Sequence, residues 1–111
     1  MTTIEIATPL APVLEQFSGR TFSEKLAGVL GREIHRFLVD CEQNMLALEI
    51  RYGMSFQEFD RQLEAGLLGD EFQWPLEADA MRWQDLIEEK RHWLSQLRAV
   101  SVLSEQPANE H

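Results

Sequence analysis

One cysteine, Cys41, is all that this 111-residue chain contains, so no disulfide can form within it and its stability must come from packing. An unpaired thiol points to a reducing, cytoplasmic setting. So does an N-terminus, MTTIEIATPLAP, with Glu5 where a leader would carry basic residues. Long apolar runs are missing too: none approaches the ~18 consecutive residues that crossing a bilayer takes, so no membrane partner is expected. Basic residues are scarce, ten Lys and Arg against nineteen Asp and Glu, for a net charge of -9. Such an imbalance opposes attraction to nucleic-acid phosphate or anionic lipid. Lys25, Arg32 and Arg36 form a small basic stripe at helical spacing, but no reading motif accompanies it, and Glu33 and Asp40 lie within pairing reach of Arg36.

What the chain does have is helix pattern. TFSE at residues 21–24 is a capping box, with Thr21 accepting from the Glu24 N–H and Glu24 reaching back to the Thr21 N–H. From there Leu26, Leu30, Ile34, Phe37, Cys41, Met45, Leu48 and Tyr52 recur at steps of three and four. That spacing predicts a helix over about 22–52, some 46 Å long at its ordinary rise, closed by Gly53. A second apolar row, Val39, Leu46 and Ile50, lies well round from the first. A helix apolar on two sides is covered on two sides. The candidate cover is a second copy of the chain, making Val39, Leu46 and Ile50 a candidate homodimer interface, or else the chain's own arm and neighbours. Gly28 and Gly31 are expected to let another backbone approach.

RYGMSFQEFDRQLEAG, residues 51–66, then reads as a corner. Ser55 and Glu58 make a second capping box, Met54 and Phe59 a hydrophobic staple, and Gly66 stops a short helix of about 56–65. Phe72, Trp74 and Leu76 alternate with Glu71, Gln73 and Pro75, an extended connector with an acidic edge. Trp83, Leu86, Ile87, Trp93, Leu94, Leu97 and Val100 mark the buried face of a last helix, about 78–100, with Lys90 in the seam. The fold expected is all-α: a single domain in which the long first and last helices pack antiparallel as a helical hairpin. It is preceded by an irregular arm over 1–20, broken by Pro9 and Pro12, and the helical body of 22–103 is followed by a frayed tail over 104–111.

Chemistry-bearing patterns are thin. Glu89-x-x-His92 has the spacing of helical di-iron sites, but Arg32 stands where a second copy, ending at His35, would need its glutamate. Glu88-Glu89 begins the acidic pattern of a magnesium-dependent nucleotide hydrolase without its continuation. Cys41 falls on an apolar face, where a thiol behaves as a small hydrophobe. No catalytic residue, metal or cofactor is therefore assigned. What stands out is charge: residues 53–80 hold seven acids against Arg61 alone, for a local charge of -6. Asp70, Glu71, Phe72, Trp74, Leu76, Glu77 and Asp79 make an aromatic and acidic strip. Its two readings are a connector packed on the core and a docking site for a basic partner.

Arg51-Tyr52-Gly53-Met54-Ser55, with Glu58, Phe59 and then Trp83 in the last helix, resembles the core of a group of small prokaryotic helical proteins. That group shares [Lys/Arg]-Tyr-Gly-Met-Ser-x-x-Glu-Phe, an acidic connector and a final helix rich in Trp, Leu and Glu, and the likeness spans about residues 22–100. Some members look like antitoxin components of toxin–antitoxin pairs. The resemblance implies a non-catalytic protein-binding module, an antitoxin-like partner of a small basic toxin. The reading from another class is a small magnesium-dependent nucleotide hydrolase, and a third is a structural subunit of an assembly.

Overall fold

The computed structural model describes residues 5–69 and 73–105, and every regular element among them is helical. A 3-10 turn at Thr8–Leu10 leads into α1 (Ala11–Leu14), followed by α2 (Phe22–Tyr52), α3 (Phe56–Glu64) and α4 (Leu76–Glu105). Backbone contacts divide the chain into two compact units, one of residues 1–35 with 95–111, the other Arg36–Leu94.

In the unit 36–94, the end of α2 runs antiparallel to the start of α4. Tyr52 meets Asp79, Glu42 meets Lys90, and Phe37 stacks on Trp93 with ring centroids 4.5 Å apart. As the α2 number falls, the α4 number rises, as only an antiparallel pair allows. The corner between them follows from local sequence. Gly53 takes φ 67°, the left-handed region that costs a glycine nothing, and its N–H returns to the Glu49 carbonyl at 2.7 Å. Ser55 then caps α3 by accepting from the Glu58 N–H at 3.3 Å. The Glu58 carboxylate, expected to complete a capping box, turns instead to Arg61, at 2.6 and 3.1 Å, and to Gln62. These bonds, the Arg61 pair foremost, pull its pKa down to about 2. Beyond α3 the Leu67 N–H bonds the Gln62 carbonyl and the Gly66 N–H that of Leu63, the paired bonds of a Schellman stop.

The corner closes on aromatic rings. Phe59 and Trp83 are fully buried and 5.0 Å apart, with Tyr52 and Phe56 packed on both. Cys41, Leu48 and Leu86 complete this core, and Met54, Leu63, Leu68, Leu76 and Ile87 pack around it. Met54 and Phe59 thus join one cluster, as a staple requires. A buried Phe or Trp contributes on the order of 2–3 kcal/mol. The Trp83 Nε1 has no hydrogen-bond partner among the described residues, so shape rather than polarity places that ring.

In the other unit, Thr21 caps α2 by accepting from the Glu24 N–H at 3.1 Å, while the Glu24 carboxylate accepts from the Arg20 N–H, one residue before the donor expected. Ala27 and Ile34 are its buried residues on α2. The arm forms helical turns over Thr8–Leu14 despite Pro9 and Pro12, because both prolines occupy first-turn positions where no N–H is needed.

Three sequence expectations are refined. The last helix begins at Leu76, not near 78, and reaches Glu105 rather than stopping near 100. Leu30 and Phe37, on the expected buried row, are partly exposed, whereas Leu38 is buried in the second unit and Ala27 in the first. Gly31 has open space where a Cβ would stand, and Gly28 would meet only the tip of Arg32, so neither serves a close backbone approach. Gly31→Ala should therefore stabilise the protein by about 1 kcal/mol through helix propensity alone. Thermal melting would show this as a Tm raised by several degrees; a lowered Tm would reveal a neighbour packed on Gly31.

Candidate partner-binding surface

The segment joining α3 to α4 sorts its apolar residues in two directions. Leu68 and Leu76 pack on the aromatic core, while Leu67 and Trp74 are 67% and 79% exposed. The extended strip expected from alternation does not run through Gln73–Pro75, which form a turn with a cis Trp74–Pro75 bond. The Glu77 N–H bonds the Gln73 carbonyl at 3.0 Å and the Asp79 N–H that of Pro75 at 2.9 Å, which starts α4 early. Pro75 loses nothing there, since the residue ahead of a helix has no intrahelical N–H bond to make.

The seven candidate partner-binding residues divide accordingly. Asp70, Glu71 and Phe72 lie outside the described residues. Leu76 is turned to the core, and Asp79 is drawn inward by the end of α2: its Oδ2 accepts from the Tyr52 hydroxyl at 2.5 Å and from the Arg51 guanidinium at 2.8 Å. Trp74 and Glu77 stand on the surface. The Asp79 side chain is only 13% exposed. Burial alone would raise its pKa, but the bonds from Tyr52 and Arg51 together hold it below the usual carboxylate value. The same burial, with Asp79 beside it, pushes Tyr52 up to about 12. Sequence reasoning placed Asp79 with the surface acids because nothing in the spacing shows which acid an Arg-Tyr pair twenty-eight residues away will take.

Several other polar groups in the unit 36–94 have structural partners. The Cys41 thiol, 4% exposed, lies 3.8 Å from the Glu89 carboxylate. Burial foremost, then the Glu89 charge, raises its pKa and keeps it protonated at neutral pH. His92 meets the Trp93 ring edge-on at 4.9 Å, so the two ends of Glu89-x-x-His92 serve different neighbours. Lys90, read as lying in the seam, is half-exposed and pairs with Glu42 at 3.6 Å, its stem along the helix pair and its head toward water. No group of three or more His, Cys, Asp or Glu suited to a metal ion occurs among the described residues. No helix among them is long and apolar enough to cross a membrane.

The candidate dimer residues do sit on an open face of α2: Val39, Leu46 and Ile50 are 37%, 53% and 73% exposed. Sequence reasoning missed Leu67. Its signal was the Leu67-Leu68 pair in the turn after Gly66, where only one of two neighbours can reach the core. Compared with protein-family models, with curated proteins and with solved structures, the chain matches none of them.

Asp79 supplies a prediction with a definite sign. A carboxylate whose pKa is lowered by folding adds stability above its unfolded pKa of about 3.9, and that stability is lost as pH falls through the folded value. The exposed Arg51 partner is screened by water, so Tyr52 carries most of the effect. Asp79→Asn should cost about 1–2 kcal/mol at pH 7, and the gap to the parent should close below about pH 4. Urea unfolding at both pH values measures it; a gap that persists unchanged in acid would mean that charge on Asp79 is not the cause.

Proposed function

We propose that this chain is a non-catalytic protein-binding module that docks a small basic protein through the α3–α4 connector, in the manner of an antitoxin. The observation that carries the reading is Trp74, a large aromatic 79% exposed in the most acidic stretch of the chain, where Leu67 too is 67% exposed. Among the described residues, Asp60, Glu64 and Glu77 are exposed carboxylates in the same stretch. An exposed aromatic in a stretch of exposed carboxylates offers what a cationic partner recognises: apolar area to bury and charge to guide the approach. An acidic module of this kind silences a ribonuclease-like toxin by occupying the surface that binds phosphate.

The same proposal includes a homodimer through Val39, Leu46 and Ile50, supported by their exposure on a face of α2 turned away from the aromatic core. Two chains burying that row against each other remove apolar area from water.

Two measurements test these statements separately. The candidate partner to co-express is any small basic protein that the neighbouring reading frame encodes. Its growth inhibition should be relieved by the parent chain, and Trp74→Ala should weaken the complex at least tenfold in a titration. Absence of binding, or equal binding by Trp74→Ala, rejects the docking surface. In sedimentation, Leu46→Glu should give a folded monomer where the parent is a dimer; an unchanged dimer rejects the α2 interface.

A further inference from the structure

The N-terminal arm, in the unit formed by residues 1–35 with 95–111, borders an open groove that the connector surface does not involve. Its volume is about 370 Å³, and it is lined by Ile6, Thr8, Ala11, Leu14, Phe22 and Lys25. Four of the six are apolar, Thr8 adds a hydroxyl, and Lys25 alone is charged.

The arm is fastened to the first turn of α2 at its base. At its base Gly19 runs so close to the first turn that a Cβ there would lie 2.9 Å from the Glu24 Cβ and 3.0 Å from the Lys25 nitrogen. The Arg20 N–H bonds the Glu24 carboxylate, and the Lys25 ammonium donates to the Phe17 carbonyl at 2.5 Å. Pro9 and Pro12 stiffen the turns between, fixing φ where they stand. A polar clasp at one end and a stiff turn at the other leave Ile6, Ala11, Leu14 and Phe22 around a space their own side chains do not fill. Water in an apolar groove gains less from its walls than an apolar occupant does.

We infer that this groove binds a small amphipathic anion, a medium-chain carboxylate. The hydrocarbon lies against Ile6, Ala11, Leu14 and Phe22, and the carboxylate meets the Lys25 ammonium. Charge complementarity selects the head group. An ammonium has three N–H donors, and the Phe17 carbonyl takes one, so Lys25 holds the arm and a carboxylate at once. Volume selects the length, since the groove falls at the lower end of the roughly 300–1,000 Å³ range of small-ligand clefts.

Decanoate, decanol and decyltrimethylammonium, titrated into the full chain by calorimetry below their micelle concentrations, test the assignment. Decanoate should bind with one site per chain and at least fivefold more tightly than decanol, with decyltrimethylammonium weakest. Lys25→Met should remove the preference of decanoate over decanol. Because that variant also loses the Phe17 bond, Ala11→Glu provides the second test: it leaves the Lys25 clasp in place, sets a carboxylate in the groove, and should abolish decanoate binding while circular dichroism shows unchanged helix. Equal binding of the three head groups, undiminished decanoate binding by Ala11→Glu, or no decanoate binding by the parent chain overturns the inference.

Discussion

Tyr52 joins everything in the unit 36–94. Its ring packs on Phe59 and Trp83, and its hydroxyl donates to Asp79 at the start of α4. One side chain at the last position of α2 therefore fixes α3 through its face and α4 through its tip. The backbone beneath it must turn within a residue, which Gly53 permits by entering the left-handed region. With that corner set, the register of the helix pair is no longer free: Glu42 reaches Lys90, Cys41 meets Glu89, and Phe37 stacks on Trp93. A slip of one helical turn would break all of these together and place charge against the aromatic core.

The surface follows from the same constraint. Because Asp79 is spent on Arg51 and Tyr52, and Glu58 on Arg61 and Gln62, the acidity of the middle stretch is borne outward by other carboxylates, Asp60, Glu64 and Glu77 among the described residues. Leu68 and Leu76 satisfy the core from the connector, which leaves Leu67 and Trp74 without an inward place. The exposed aromatic in this acidic stretch is thus a by-product of how the corner is filled. Partner binding is the use we propose for it.

The N-terminal arm obeys a different logic. Its hydrogen bonds to α2 are gathered at its base, around Glu24 and Lys25, whereas the corner is held largely by rings in van der Waals contact. Hydrogen bonds fix direction without filling volume, and aromatic packing fills volume with little direction. That contrast explains why one part of the molecule is a solid core and another keeps a groove.

The helices, their stops and the corner were legible in the amino acids because they rest on interactions between near neighbours. Thr21 and Ser55 bond backbone three residues on, Gly53 and Gly66 end helices at their own positions, and the Trp83–Leu86–Ile87 spacing marks a buried face within a single turn. Even there the partners of Glu24 and Glu58 differed from the expected ones, since a flexible carboxylate takes whichever donor folding brings within reach. What only the tertiary structure decided is which residues of a mixed segment face inward. Asp79 and Leu76 share the acidic connector with Trp74 and Glu77, yet the first pair is drawn in and the second left out. The deciding contacts come from Tyr52, Arg51 and the aromatic cluster, some two dozen residues or more away for Asp79. Periodicity reports the geometry of one helix; it carries no information on what a neighbouring helix will offer a carboxylate or an indole once the two are side by side.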